Sequence, residues 1–171
     1  ICKWAITKPT QKVLEPSCGD GNFIESAIKR FLELGVPENK LFGLIKGIEL
    51  VKQEAEKSKH RAANYGLNST TIINSDFFNY ISNANGDGHY DVVIGNPPFI
   101  RYQNFPEEHR KKAFEMMEAM GLTPNKLTNI WVPFLVLSAN SLNRYGKLGM
   151  VIPAELFQVK YAAETRIFLS K

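Results

Sequence analysis

The segment Asn96-Pro97-Pro98-Phe99 is the part of the sequence whose residue types point most directly to chemistry. Adjacent prolines remove two backbone N–H donors and fix φ, and Pro97 also restricts Asn96 to extended conformations. We therefore expect the carbonyl oxygens here to face outward with no nearby donor, beside the side-chain oxygen of Asn96. These acceptors suit the two hydrogens of a planar amine, and the ring of Phe99 suits stacking on the ring that carries the amine.

An amine conjugated to a heteroaromatic ring is a poor nucleophile because its lone pair is delocalised. Hydrogen bonds from both amino hydrogens to fixed acceptors favour a pyramidal nitrogen with a localised lone pair, and this gain grows in the transition state. The segment therefore predicts activation of an exocyclic amine. A rigid turn after a strand, without chemistry, is the alternative.

A second segment, Glu15-Pro16-Ser17-Cys18-Gly19-Asp20-Gly21, lies between a short apolar run and a helical pattern. Gly19 and Gly21 let the backbone pass close to a ligand because neither has a Cβ atom. The following helix would direct its free N–H groups to the same place. This turn predicts a binding site for the polar part of a ligand, with an ordinary tight turn as the alternative.

Acidic residues stand at the carboxyl ends of the next two predicted strands. Glu49, which precedes Leu50, can accept from both hydroxyls of a ribose, and Asp76 can accept from an exocyclic amine. Phe77 or Phe78 can stack on a purine, and Phe77 is favoured because it adjoins Asp76. Both acids could instead only cap helices. Together with the glycine turn, these residues predict a nucleoside site, and a dinucleotide would also fit.

Apolar or β-branched runs alternate with segments of helical periodicity, which predicts a doubly wound, mostly parallel α/β sheet. Ligands bind such sheets beyond the carboxyl ends of the strands. Asn, Asp and Gly predict a turn over 83–89. The predicted strands are 12–15, 42–50, 70–74, 90–95 and 147–152, and the predicted helices are 22–34, 51–65, 106–120, 127–145 and 166–171.

The composition is that of a globular domain: 171 residues, 44% hydrophobic, 22% charged, with a net charge of +4. This charge permits a nucleic-acid partner without requiring one. The most apolar stretch, 130–142, is too short and too polar to span a membrane. The 2 cysteines exclude a disulfide scaffold and suit a reducing cytoplasm. We expect the three histidines to be exposed, and we expect no metal site.

In their order along most of the chain, these motifs resemble the S-adenosylmethionine-dependent amino-methyltransferases with an Asn-Pro-Pro-aromatic motif. They resemble in particular the gamma class of N6-adenine DNA methyltransferases from restriction–modification systems. The continuation Ile100-Arg101-Tyr102-Gln103 is similar to the Eco57I-like branch, and residues 146–153 resemble the strand that closes its target pocket. Phe99 stands where the family more often has tyrosine, and its ring still permits stacking.

The resemblance implies a Rossmann-like methyltransferase fold, S-adenosylmethionine as cofactor and double-stranded DNA as partner. A restriction or specificity module of the same system is a further expected partner, and the cytoplasm is the expected location. Arg101 would meet a DNA phosphate. The roles implied by the resemblance are the methionine end of the cofactor for Glu15, Gly19 and Gly21, its ribose for Glu49, its adenine for Asp76 and Phe77, and the target adenine for Asn96, Pro97 and Phe99. Pro16 and Leu50 would also bind the cofactor, and Pro98 would belong to the catalytic segment.

We expect residues 1–171 to be one partial catalytic domain, because the chain starts at Ile1 and ends in an apolar helical pattern. The last two strands of the family sheet and the target-recognition domain would then be missing, and the isolated chain would be inactive. Three alternatives stay open: a protein-glutamine methyltransferase of the release-factor type, a dinucleotide-dependent oxidoreductase, and a subunit that binds the cofactor without catalysis.

Overall fold

A computed structural model describes residues 1–83, 90–158 and 162–170. Over these ranges the chain forms a five-stranded sheet in the order β3-β2-β1-β4-β5, and each adjacent pair is parallel. The predicted α/β class and parallel sheet are confirmed. The strands are β1 Val13–Glu15, β2 Ile45–Glu49, β3 Ile72–Asn74, β4 Tyr90–Gly95 and β5 Leu142–Met150.

Helices cover both faces of the sheet because side chains of its central strands alternate between two apolar cores. Val13 and Val92 belong to one core, whereas Leu14 and Val93 belong to the other. The first core is closed by α1 Cys2–Ala5, α2 Asn22–Glu33 and α3 Lys52–Ala63, and the second by α4 Phe77–Asn83, α5 Glu107–Ala119 and α6 Trp131–Asn140. A further helix, α7 Ala163–Leu169, follows β5.

Several predicted elements have wrong boundaries. The strand predicted from residue 42 begins at Ile45, because Glu38–Gly43 forms a 3-10 helix that ends against it. The helix predicted over 127–145 is only α6, and β5 starts at Leu142 rather than at residue 147. Asn143 to Tyr145 are exposed, so they offer no apolar face that would extend the helix into the core.

The early part of β5 is irregular. Leu142 pairs with Tyr90 and Lys147 with Val92, so extra residues lie between these two pairs on the β5 side. Such a bulge at the edge of a sheet hinders pairing with another chain. Most of the turn predicted over 83–89 lies outside the described residues. Among the described helices, none is long and apolar enough to cross a membrane.

Candidate active site at the carboxyl ends of the strands

The carboxyl ends of β1 to β4 surround a cavity of about 280 Å³. The order of the strands explains its place: β2 and β3 lie on one side of β1 and β4 and β5 on the other, so the strand order reverses at β1. The cavity unites residues from all four strand ends. Its lining consists of Pro16, Ser17, Gly19, Glu49, Leu50, Val51, Ser75, Asp76, Phe77, Asn96, Pro98, Ile100, Phe105 and Phe134.

The two glycines of the β1–α2 turn face different parts of the structure. Gly19 lines the cavity with φ 51°, and nothing lies within 4 Å of the position that a Cβ would take. Gly21, with φ 90°, faces away from the cavity toward α3, where a Cβ would lie 2.6 Å from Ser58 Oγ. The structure therefore places Gly19, but not Gly21, in the cavity wall.

Arg61 of α3 holds this turn from behind. Its Nε donates to the Asp20 carbonyl at 2.9 Å, and its two terminal nitrogens donate to the carboxylates of Asp20 at 2.9 Å and Glu25 at 2.7 Å. Tyr65 donates to the other oxygen of Glu25 at 2.9 Å. A guanidinium that bonds three oxygens in this way fixes the turn more firmly than a single ion pair would.

Glu49 is held so that its carboxylate keeps accepting capacity. Its Oε2 accepts from the Gly19 N–H at 2.8 Å, and its Oε1 accepts from the Val51 N–H at 2.7 Å. Each oxygen has a second lone pair. The side chain is 9% exposed and lines the cavity. Val51 is the N-cap residue of α3, so the Glu49 carboxylate also contacts the backbone at the start of that helix.

Asp76 combines a helix cap with a place in the cavity wall. Its Oδ1 accepts from the Asn79 N–H at 2.8 Å in the first turn of α4, and the residue is 4% exposed. Burial raises the pKa of the carboxyl. His109 Nδ1 lies 3.4 Å from Asp76 Oδ2.

The expectation that all histidines are exposed is wrong for His109, whose side chain is only 19% exposed. Its ring contacts that of Phe105, which lies just before α5, with centroids 6.0 Å apart. Nothing in the sequence indicates that His109 packs on Asp76. The other lining residues that sequence reasoning missed, such as Phe134 in the uniformly apolar α6, carry no distinguishing signal.

The adjacent phenylalanines of α4 differ in their contact with the cavity. Phe77 lines it, whereas Phe78 does not, although both are almost completely buried. The ring of Phe77 stacks on that of Phe134 with centroids 5.2 Å apart and planes at 17°. A role for Phe77 in stacking on a ligand stays a prediction.

Asn96 is exposed at the end of β4 and lines the cavity together with Pro98, whereas Pro97 is buried. Phe99 is 50% exposed and lies outside the cavity lining. Ser17 Oγ donates to the main-chain oxygen of Asn96 at 3.3 Å. The prediction that the carbonyls here lack a nearby donor is therefore wrong for this oxygen, because the β1–α2 turn brings a hydroxyl to it.

The remaining predicted residues lie beside the cavity. Glu15, at the end of β1, is 2% exposed, and its Oε2 has no hydrogen-bond partner within the described structure. Burial raises the pKa of this carboxyl well above its ordinary range. Arg101 is exposed directly after the Asn96–Phe99 segment. The described residues include no cluster of metal-ligating side chains.

Known proteins are similar to this chain in sequence, and others are similar to it in fold. The chain is 27% identical to the type II methyltransferase M.BstVI of Geobacillus stearothermophilus, over 93% of this chain and 31% of that protein. It is 24% identical to M.AccI of Acinetobacter calcoaceticus, over 100% of this chain and 29% of that protein. The chain thus spans about a third of the length of the curated relatives it matches.

Two solved structures show the same fold at low identity. A modification subunit of a putative type I restriction enzyme from Vibrio vulnificus YJ016 superposes with a TM-score of 0.72 at 21% identity, covering 99% of this chain and 36% of that chain. The DrdV–DNA complex gives a TM-score of 0.70 at 18% identity, covering 94% of this chain and 19% of that chain.

The sequence profile of one family matches residues 26–171, which include the ends of β2, β3 and β4 that form the cavity. This match covers most of the chain, and the chain therefore belongs to the Eco57I restriction-modification methylase family.

Proposed function

We propose that this chain is the cofactor-binding and catalytic part of a DNA methyltransferase that methylates the N6 amine of adenine in a restriction–modification system. One observation carries the proposal. Asn96 is exposed at the end of β4 and lines the same cavity as Gly19, Glu49 and Asp76. An acceptor for an amine thus adjoins a nucleoside-binding wall.

The cavity wall fits the nucleoside of S-adenosylmethionine, which supplies an electrophilic methyl group when bound. Glu49 would accept from the ribose hydroxyls through its two unused lone pairs. Asp76 would accept from the adenine amine, and Leu50 and Val51 offer exposed apolar surface for the base. The cavity of about 280 Å³ lies close to the lower end of the range for small-molecule sites, about 300–1,000 Å³.

The Asn96–Phe99 segment would hold the target. The Asn96 side-chain oxygen and the Pro97 carbonyl would accept the two amine hydrogens, which localises the nitrogen lone pair. An adenine must leave the duplex stack to reach them, at a cost of a few kcal/mol. Stacking on the half-exposed Phe99 would return about 1–3 kcal/mol.

DNA is the proposed substrate because the relatives M.BstVI and M.AccI are named type II methyltransferases and the similar DrdV structure is a DNA complex. Arg101 is exposed beside the site and would meet a phosphate. A specificity or restriction module is a proposed partner, since the similar Vibrio vulnificus protein is described as a modification subunit. Membership in a restriction-modification methylase family disfavours the protein-glutamine alternative.

The full-length protein should be incubated with methyl-labelled S-adenosylmethionine and unmethylated genomic DNA of its host, followed by mapping of the modified base. We expect label in N6-methyladenine at a defined sequence. Label on cytosine, on protein glutamine or on no acceptor would contradict the proposal.

A further inference from the structure

His109 lies in the first turn of α5, where it meets the buried carboxylate of Asp76. Its Nδ1 is 3.4 Å from Asp76 Oδ2, and the two side chains are 19% and 3% exposed. This nitrogen is buried and makes no hydrogen bond within the described structure. A buried polar atom of this kind requires an explanation, and the only acid it faces among the described residues is Asp76.

The imidazole of His109 lies against the oxygen of the Asp76 carboxylate that the helix cap does not hold. Asp76 Oδ1 accepts from the Asn79 N–H at 2.8 Å, which ties that oxygen to α4. Oδ2 faces the imidazole from α5. Small rotations of the carboxylate are therefore opposed from two helices, and Asp76 also lines the cavity.

Packing holds the imidazole itself in place. Its ring centroid lies 6.0 Å from that of Phe105, which lines the cavity. One turn further along α5, Lys112 Nζ donates to Asn79 Oδ1 at 2.7 Å, so α5 is tied to α4 a second time. Position and orientation of His109 relative to Asp76 are thus set by contacts that do not involve a ligand.

We infer that His109 is a positioning residue for the nucleobase end of the cofactor site, which holds the Asp76 carboxylate in the orientation that accepts an exocyclic amine. The inference rests on the proposed function, because it takes the cofactor's adenine as the ligand of Asp76. His109 acts through Asp76 and does not line the cavity.

If His109 acts by positioning Asp76, the effect of its substitution depends on which ligand is bound. If His109 only packs, the effect is the same for every ligand. Adenosine carries the amine that Asp76 would accept from, whereas purine riboside lacks only this amine. Loss of the positioning contact should weaken adenosine and leave purine riboside unaffected, because a site built for an N–H donor discriminates by that bond. Loss of packing should weaken both ligands equally.

The test measures both nucleosides as competitors of S-adenosylmethionine binding to the full-length protein. His109→Phe keeps an aromatic ring beside Phe105 and removes the ring nitrogen that faces Asp76. We expect it to weaken adenosine about tenfold and purine riboside less than about twofold. His109→Asn, which places an amide nitrogen near the position of Nδ1, should restore the preference for adenosine. His60→Phe, at an exposed position of α3, is the control and should change neither affinity.

Equal weakening of both nucleosides by His109→Phe, or no weakening of either, would overturn the inference. The same holds if His109→Asn behaves like His109→Phe. If the wild-type protein fails to bind S-adenosylmethionine, the proposed function fails and the inference fails with it.

Discussion

Glu15 and Glu49 end adjacent strands, yet they have opposite environments. Both oxygens of Glu49 accept backbone N–H groups at the cavity wall. Glu15 is buried behind the turn, its Oε2 has no partner in the described structure, and its pKa is raised by burial and by the nearby charge of Glu49. Glu49 is therefore suited to bind a ligand, whereas the burial of the Glu15 carboxyl lowers the stability of the folded chain at neutral pH.

For Glu49→Gln we expect the affinity for S-adenosylmethionine to fall about tenfold or more, because the amide has one accepting oxygen instead of two. Isothermal titration calorimetry on the full-length protein measures this. Glu56→Gln on the exposed side of α3 is the control and should bind normally. Unchanged affinity in Glu49→Gln would contradict the assignment to the ribose.

For Glu15→Gln we expect a stability difference from wild type that depends on pH. Above the ordinary pKa of 4.5 the unfolded chain ionises Glu15 while the folded chain retains the proton, so wild-type stability falls as pH rises. The variant lacks this loss. Its unfolding free energy relative to wild type should therefore increase from about pH 4 to pH 7 in urea denaturation.

Glu33→Gln provides the opposite case, because a hydrogen bond from Arg30 lowers the pKa of Glu33. This carboxylate stabilises the folded chain above its ordinary pKa, and that contribution is lost as pH falls. Its substitution should therefore cost stability toward neutral pH. If the unfolding free energy of Glu15→Gln relative to wild type is the same at about pH 4 and pH 7, the pKa of the Glu15 carboxyl is not raised by folding, which would contradict this account.

At the level of elements, α3 acts as a support for the cofactor turn. It presents Ser58 to Gly21 and Arg61 to Asp20, and both contacts lie on the side of the turn away from the cavity. The glycine at position 21 is therefore required by packing between α2 and α3 as well as by its positive φ.

Gly21→Ala should destabilise the protein more than Gly35→Ala does. Both glycines have positive φ, so each substitution costs about 1–2 kcal/mol of backbone strain. At Gly35 nothing lies within 4 Å of the new Cβ, whereas at Gly21 it would meet Ser58. We expect about 1–3 kcal/mol of additional loss at Gly21 in chemical denaturation. Equal losses would refute a close α2–α3 contact.

The sequence predicts elements well where their boundaries carry strong signals. The strand 90–95 is confirmed at both ends, because Val92, Val93 and Ile94 are completely buried and Asn96-Pro97 ends the run. The boundary between α6 and β5 could not be located, because Ser141 between them is neither glycine nor proline and the start of β5 is polar and exposed rather than an apolar run. Partner strands, rather than local pattern, determine where β5 starts.

At the scale of the whole molecule, the parallel sheet brings together residues that are far apart in the chain. The rule that ligands bind beyond the carboxyl ends of such strands was sufficient to predict that Gly19, Glu49, Asp76 and Asn96 would meet, and they line one cavity. The rule cannot predict contacts between covering helices. His109 was missed for this reason, since it lies on α5 whereas its neighbour Asp76 directly precedes α4.

The separation of the two halves of the site allows one decisive measurement. Asn96 directly follows β4, whereas the proposed cofactor contacts come from the ends of β1, β2 and β3. The measurement compares S-adenosylmethionine binding and methyl transfer to DNA in full-length Asn96→Ala, with the exposed Asn64→Ala as control. We expect the dissociation constant to stay within a few fold of wild type and transfer to fall about 100-fold or more, because a preorganised acceptor is lost. Normal transfer by Asn96→Ala would contradict the role of this residue in holding the target amine.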